Sequence, residues 1–241
     1  VEDKAKNCNL AIKAYQEALK FYTLDDSTNQ YAITQNNLGN AYQTFAQVRG
    51  DKVVNCEKAI QAYQEALKVY TLDDFPMEYA ETQNNLGVAY ITIAEIQDKV
   101  TNYQSAITAC QEALKVRTLN KLPVDYAGTQ NNLGNAYGIL AKIQDKADNC
   151  EKAIQAYQEA LKVYILDDFP MEYAGTQNNL GAIYNTLAEV EDKAKNCNLA
   201  IKAYQEALKV YTLDNFPIEY AMTQYNLGSA YRIFAEVQDK A

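Results

Sequence analysis

The sequence predicts an all-α fold of about ten antiparallel helices arranged as a repeat array. Two observations carry this prediction. The first is a period of 47 or 48 residues, marked by a phrase that returns along the chain as TQNNLGNAY at 34–42, TQNNLGVAY at 82–90, TQNNLGNAY at 129–137, TQNNLGAIY at 176–184 and TQYNLGSAY at 223–231. The second is the spacing of apolar residues, which follows the helical period and nowhere sustains the alternation that strands require.

The period divides the chain into a first helix, four complete units and a last helix. The predicted boundaries are 1–24 for the first helix, 25–72, 73–119, 120–166 and 167–213 for the units, and 214–241 for the last helix. The additional residue of the first unit is assigned to Gly50. Residues 1–20 are identical to residues 190–209, which indicates recent duplication. The prediction is therefore a single array over residues 1–241.

The first helix of each unit, called helix A here, is predicted from the pattern at 79–96. It follows Pro76, whose fixed φ suits the first turn of a helix. The same place is held in turn by Pro76, Pro123, Pro170 and Pro217. The carboxylates of Asp73 and Asp74 precede the first turn, so we expect them to cap the helix and to interact with its dipole.

The second helix, called helix B, is predicted from the pattern at 55–70. Its apolar stripe consists of Ile60, Tyr63, Ala66, Leu67 and Tyr70. This spacing places the stripe on one face of a helix. The candidates for N-caps of helix B are Asp98, Asn102, Asn149 and Asn196.

The residues shared by the units resemble the signature of the tetratricopeptide repeat (TPR). They are Leu38, Gly39 and Tyr42 on helix A, Ala59, Tyr63 and Ala66 on helix B, and Pro76 after it. The unit is longer than the usual repeat of about 34 residues, and FPMEYAETQNNLGVAY at 75–90 is especially similar to the long repeats of kinesin light chains. The resemblance implies a right-handed α-solenoid in which helix A lines the concave surface and helix B the convex one.

The two sides of helix A differ in how much they vary between units. The side with Leu38, Gly39 and Tyr42 barely changes, and packing between helices accounts for it. On the other side, Asn40 is replaced by Val88, Asn135, Ala182 and Ser229, and Gln43 is replaced by Ile91, Gly138, Asn185 and Arg232. One position on that side is the same in every unit, as Asn37, Asn85, Asn132, Asn179 and Asn226.

The family resemblance implies that these invariant asparagines hold the backbone of a bound peptide, while the varying neighbours contact its side chains. The alternative is that they form hydrogen bonds between adjacent repeats. Both interpretations are open for the preceding position, which is occupied by Asn36, Asn84, Asn131, Asn178 and Tyr225. Tyr225 is a candidate aromatic anchor. A clamp for a terminal carboxylate is not expected, because Arg232 is the only basic residue on this side and Glu81 contributes a negative charge there.

These observations predict a scaffold that binds a peptide segment of a partner protein, and the alternative is a structural spacer or oligomerisation array. An enzyme is not expected, because the chain has no histidine, no glycine-rich phosphate loop and no cysteine cluster with metal-ligand spacing. We expect neither a cofactor nor a metal.

The net charge and the cysteine content indicate which partners and which cellular location to expect. A net charge of −9 argues against nucleic acid or an anionic membrane as partner. No run resembles a transmembrane span or signal peptide, and the five cysteines fit a reduced protein, so we expect a cytoplasmic location. Cys110 stands where other B helices carry tyrosine (Tyr15, Tyr63, Tyr157 and Tyr204), so we expect looser packing there.

The first and last helices are expected to expose core residues at the ends of the array. These are Ile12, Tyr15, Leu19 and Tyr22 at one end, and Leu227, Tyr231 and Phe234 at the other. Because the two surfaces differ, contact between copies would be heterologous and open. Head-to-tail self-association is therefore a further expectation.

Overall fold

The computed structural model describes residues 2–48 and 51–238, which contain ten α-helices and no β-strand. The helices are α1 (Glu2–Ala18), α2 (Thr28–Val48), α3 (Lys52–Ala66), α4 (Pro76–Ala94), α5 (Lys99–Leu114), α6 (Pro123–Leu140), α7 (Lys146–Ala160), α8 (Pro170–Leu187), α9 (Lys193–Ala207) and α10 (Pro217–Gln238). The all-α prediction is confirmed. Odd-numbered helices are B helices and even-numbered ones are A helices. Gly50 lies outside the described residues, as do residues 1, 49 and 239–241.

Proline opens four of the A helices, as the sequence predicts. The N-cap position of α4 is occupied by Phe75, which makes no side-chain hydrogen bond to the helix. The expected capping by Asp73 and Asp74 is therefore wrong. Asp74 instead accepts a hydrogen bond from Thr71 Oγ1 at 2.9 Å and so stabilises the preceding turn. Proline has no N–H group to satisfy, which allows the first turn to form without a polar cap.

Helix B begins three residues earlier than predicted in the first unit. The reason is Asp51, whose carboxylate accepts a hydrogen bond from the Val54 amide and caps α3. The asparagine N-caps are wrong, because these residues lie inside the first turn. Their side chains donate to carbonyls of the connection from helix A, in the pairs Asn102 to Gln97, Asn149 to Gln144 and Asn196 to Glu191, at 2.8–3.0 Å.

In three of the connections from helix A to helix B, the last residue has a positive φ. The φ angles are 45° at Asp98, 45° at Asp145 and 25° at Asp192. Aspartate enters this region more readily than most residues because its side chain can form local hydrogen bonds. The reversal allows helix B to begin directly after the turn and to pack back on helix A.

Close contacts divide the chain into two compact halves, Val1–Thr118 and Leu119–Ala241. Within the first half, each helix from α1 to α4 packs on the helix that follows it, and within the second half each helix from α6 to α9 does the same. Successive A helices also touch, namely α2 with α4, α6 with α8 and α8 with α10, whereas the described B helices of one half do not approach each other as closely. The A helices therefore line the inner side of each half. The single array and its right-handed superhelix stay predictions.

A glycine of helix A faces a tyrosine ring of helix B in three units. A Cβ atom on Gly39 would lie 2.5 Å from Cε1 of Tyr63, which is fully buried. The matching distances are 2.7 Å for Gly134 with Tyr157 and 2.8 Å for Gly181 with Tyr204. Real Cβ atoms do not come this close to a ring, so only glycine allows the two helices to pack at this distance.

A second link between the helices joins a tyrosine near the start of helix A to a glutamate of helix B. The hydroxyl of Tyr79 donates to Glu112 Oε2 at 2.7 Å, and Lys115 forms an ion pair with the same carboxylate at 2.6 Å. The link is repeated from Tyr31 to Glu65, from Tyr126 to Glu159 and from Tyr173 to Glu206. Hydrogen bonds from Lys115 and Tyr79 lower the pKa of Glu112, so the carboxylate stays ionised.

Candidate functional site

The inner surface is defined here as the side of the A helices that faces away from the B helices. Most of its predicted site residues are half-buried, and Tyr225 and Arg232 are exposed. The half-buried residues are Asn36, Asn37, Asn40, Gln43, Asn84, Asn85, Val88, Ile91, Asn131, Asn132, Asn135, Asn178, Asn179, Asn185 and Asn226. Every predicted site residue is therefore at least partly accessible to a ligand.

In three of the asparagine pairs, a threonine of the following A helix contacts the first asparagine. The contacts are Thr82 with Asn36, Thr176 with Asn131 and Thr223 with Asn178, at 3.2–3.3 Å from threonine Oγ1 to asparagine Oδ1. All three threonines are buried. Thr176 gives its proton to the Glu172 carbonyl at 2.7 Å, whereas Thr82 and Thr223 donate to their asparagines. A buried hydroxyl needs a hydrogen-bond partner, so Asn36 and Asn178 also contribute to the packing between units. Sequence reasoning did not find these threonines, although each begins the repeated TQNNLG or TQYNLG phrase.

The second asparagine of the pair reaches back to the preceding A helix. Its side-chain nitrogen donates to an amide oxygen, from Asn85 to Asn40 at 3.2 Å and from Asn179 to Asn135 at 3.1 Å. In α8 the acceptor position is Ala182, and the side chain of Asn226 makes no hydrogen bond within the described part of the chain. A carboxamide offers two N–H donors and one acceptor oxygen. Asn85 and Asn179 therefore retain hydrogen-bonding capacity after this bond.

The buried tyrosine of helix B extends to the inner surface. The hydroxyl of Tyr63 lies 2.7 Å from both Asn40 Oδ1 and Gln43 Oε1. A phenol has one proton and Asn40 Oδ1 already accepts from Asn85, so both contacts are satisfied if Gln43 turns its amide nitrogen toward the phenol. Tyr157 donates to Asn135 in the same way at 2.7 Å.

The last unit has a weaker version of this contact. Asn185 Nδ2 donates to the hydroxyl of Tyr204 at 3.4 Å, and its Oδ1 is buried without a hydrogen-bond partner among the described residues. Ala182 stands where Asn40 and Asn135 supply an acceptor in the other units. The phenol of Tyr204 therefore has a single amide neighbour instead of a bonded pair.

Unit 73–119 departs from this arrangement. Cys110 replaces the tyrosine, and its Sγ would lie 2.9 Å from a Cβ atom on Gly87, so the thiol packs directly on the glycine. Val88 and Ile91 replace the two amides that contact the phenol in the first unit. This part of the inner surface therefore has apolar side chains where the first unit has a phenol and two amides.

Two exposed side chains lie on the last A helix. Arg232 forms an ion pair with Glu236 at 2.9 Å, and its side chain is 70% exposed, so the pair contributes little to stability. Tyr225 is 77% exposed. Its aromatic ring is thus accessible for contact, as an anchor residue requires.

The cysteines are all free, and Cys56, Cys110, Cys150 and Cys197 are buried, whereas Cys8 is half-buried. Burial raises the pKa of the Cys150 thiol to about 11, so it stays protonated at neutral pH. Within residues 2–48 and 51–238, no group of three or more Cys, Asp or Glu residues is placed to hold a metal ion. None of the helices described there is long and apolar enough to span a membrane.

The comparisons with known proteins agree with this helical repeat. Residues 127–170 match the tetratricopeptide repeat family model. In structure the chain is similar to BtubC (BKLC) from P. vanneervenii, with a TM-score of 0.64 and 21% sequence identity over 98% of this chain and 85% of that chain. Residues 127–170 thus carry a TPR-like repeat, and the chain has the helical fold of this TPR-like neighbour. No curated protein sequence matches it. TPR repeats generally mediate contacts between proteins, and the likeness to the solved structure shows the fold alone.

The first half of the chain also carries furrows on its outer side, which sequence reasoning missed. A cavity of about 320 Å³ is lined by Gln16, Leu19, Gln35, Leu38, Tyr42, Lys58, Gln61, Ala62 and Glu65. One of about 370 Å³ is lined by Gln83, Leu86, Tyr90, Thr101, Gln104, Ser105, Thr108, Ala109 and Glu112. The signal in the sequence is the side of helix A assigned to packing alone, because Gln35 and Gln83 lie there and face the furrows.

Proposed function

We propose that the protein is a scaffold that binds a peptide segment of a partner protein on the inner surface. In this proposal the second asparagines hold the peptide backbone, and the varying residues at the Asn40 and Gln43 positions contact its side chains. The supporting observation is the spare capacity of the amides, since Asn85 and Asn179 each use one donor within the protein. A peptide backbone offers the matching C=O and N–H groups at every residue.

The asparagine ladder is tested by two variants that differ in their internal bonding. Asn226→Ala removes an amide that has no hydrogen bond in the described structure, whereas Asn179→Ala also breaks the bond to Asn135. If the ladder holds peptide, both variants should weaken binding of a selected peptide by about 1–2 kcal/mol, the scale for a hydrogen bond left unpaired. Asn226→Ala should do so without lowering the melting temperature.

The probe for this test is a fluorescein-labelled peptide, obtained by selecting a random display library on the chain and measured by fluorescence anisotropy. Gln205, exposed on helix B away from the inner surface, provides the control variant Gln205→Ala. Normal binding by both asparagine variants would reject the ladder as a peptide contact and leave its structural role between units.

A structural array that associates end to end is the second candidate, and the face of α10 favours it. A Cβ atom on Gly228 would meet nothing within 4 Å, whereas Gly181 at the matching position of α8 faces the ring of Tyr204. The α9 sequence that supplies Tyr204 is identical to that of α1. A second copy of α1 would therefore fit the open face of α10, with its Tyr15 against Gly228.

The predicted contact residues need one correction. Ile12 and Leu227 are 6% and 8% exposed, so they are already covered within their own chain and are not free to join two copies. Tyr231 is 48% exposed and belongs to the open face. Gly228→Trp should block this contact without disturbing the fold, and light scattering at rising concentration should then show a smaller mass than for the unchanged chain. A monomer in both cases would reject the candidate.

The remaining expectations form part of the same proposal. The protein is not an enzyme, its partners are proteins and not nucleic acids or membranes, and it acts in the cytoplasm. A net charge of −9 supports the choice of partner, because anionic surfaces repel an acidic protein. The free, buried cysteines support a reducing compartment.

A further inference from the structure

One buried position of helix B controls the chemistry of the inner surface in each unit. In the first unit Tyr63 passes the glycine of helix A, and its hydroxyl lies between Asn40 and Gln43 at 2.7 Å from each. The phenol and the two amides form one hydrogen-bonded group, which makes this part of the inner surface polar. We call these three positions the triplet.

The triplet of unit 73–119 is changed at all three places. Cys110 replaces the tyrosine and is fully buried, while Val88 and Ile91 replace the two amides and are half-buried. A cysteine side chain is too short to reach the inner surface as a phenol does. No hydrogen-bonding side-chain group remains at the triplet positions of this unit other than the buried thiol, which is a weak donor.

Packing alone does not require the two surface changes. Asn or Gln at positions 88 and 91 would still reach water, because both positions are half-buried. A contiguous apolar patch with a polar rim is typical of places where an apolar group of a ligand binds. Val88 and Ile91 are three residues apart in α4, so they are neighbours on one side of the helix. The neighbouring asparagines, Asn84 and Asn85, continue the amide rows past this apolar place.

We propose, on the basis of the proposed function, that Val88 and Ile91 form an apolar anchor site on the inner surface and take one aliphatic or aromatic side chain of an extended peptide. The polar triplet of Tyr63, Asn40 and Gln43 takes a polar side chain of the same peptide. Adjacent packed helices lie about 8–10 Å apart, and an extended chain rises about 3.3 Å per residue. The apolar and the polar residue of the ligand are therefore about three positions apart.

The test exchanges the triplets between two units of the same chain. The first variant, Val88→Asn, Ile91→Gln and Cys110→Tyr, gives unit 73–119 the triplet of unit 25–72. The second variant, Asn40→Val, Gln43→Ile and Tyr63→Cys, makes the reverse change. Each triplet already occurs in a folded unit of this protein, and circular dichroism checks that each variant is helical. Val88→Asn with Ile91→Gln alone keeps the core unchanged and replaces the first variant if it does not fold.

The probe is a display library of random peptides about twelve residues long, which extended would span about 40 Å. Peptides selected on the unchanged chain should share one apolar position, and the first variant should bind them at least about tenfold more weakly, as expected for an anchor residue. The second variant should select peptides with a second apolar position about three residues from the first.

The outcomes separate this inference from the proposed function. Selected peptides that keep their apolar position and their affinity on the first variant would overturn the anchor site while peptide binding stands. If no protein in the set selects peptides above background, the proposed peptide scaffold itself fails, and the anchor site with it.

Discussion

The two sides of each A helix are built differently. The side toward helix B has a glycine pressed against a tyrosine ring, with room for no other side chain at Gly39, Gly134 or Gly181. The inner side has amides that bond to each other across units but remain partly in water. A close-packed contact tolerates almost no change of volume, whereas a surface in contact with water tolerates many. This explains why one side repeats and the other varies.

High pH should unfold the protein by ionising the buried tyrosines that pack against the A helices. Burial raises the pKa of Tyr63, Tyr157 and Tyr204 far above 10, and burial with a hydrogen bond to Glu112 raises that of Tyr79 to about 12. Because the pKa of these tyrosines is higher in the folded state than the unfolded value of about 10, their protonated side chains stabilise the fold below about pH 10. This stabilisation is lost as the pH rises toward about 12. We expect cooperative loss of helix between pH 10 and 12, followed by circular dichroism together with tyrosinate absorbance. Ionisation near pH 10 with the helices intact would contradict it.

A matched pair of glycine variants compares a closed face with an open one. Gly181→Leu should lose about 3 kcal/mol of stability, because a Cβ already lies 2.8 Å from the ring of Tyr204 and overpacking of a core is costly. Gly228→Leu should be neutral or gain up to about 1 kcal/mol, because leucine is the better helix former and nothing lies within 4 Å. Urea unfolding of the two variants measures the difference, and equal losses would show that the glycine contact is not the cause.

Removal of one phenolic oxygen tests the link between the two sides. Tyr63→Phe should cost about 1–2 kcal/mol, because Asn40 and Gln43 lose a buried partner. Tyr70→Phe is the control, since Tyr70 is 3% exposed but packs on Phe75 without a hydrogen bond of its hydroxyl in the described structure. The control should change stability by less than about 0.5 kcal/mol. A similar loss of stability in both variants would mean that the hydrogen bonds of the Tyr63 hydroxyl to Asn40 and Gln43 are not what stabilises the contact.

Much of the fold can be predicted from the sequence because the same residue pattern recurs in each unit. The prolines before helix A and the stripe with Tyr63 predict both helices, and proline at the first turn acts through its own geometry. The caps of helix B were harder, because Asp98 ends the connection at positive φ and brings Asn102 into the first turn. Nothing in the pattern of one helix shows how tightly it turns into the next.

The site was predicted as a set of positions but not as a network. Angles around one helix place Asn85 and Asn40 on the same side of their helices, and the structure agrees with that placement. Whether they bond depends on the distance between two A helices, which helical periodicity does not contain. The same limit hid the partnership of Tyr63 with Asn40 and Gln43, although comparing the units would show that all three change together in unit 73–119.

The contacts between neighbouring helices also govern how the chain folds during synthesis. Within each half, the described helices touch only partners one or two elements away, and Gly39 meets Tyr63 less than one unit along the chain. Closing such short loops costs little entropy, and proteins rich in local contacts fold fast. A growing chain can therefore fold its first helices while the last units are still on the ribosome. Adding units to such a gene lengthens translation without making any single folding step slower.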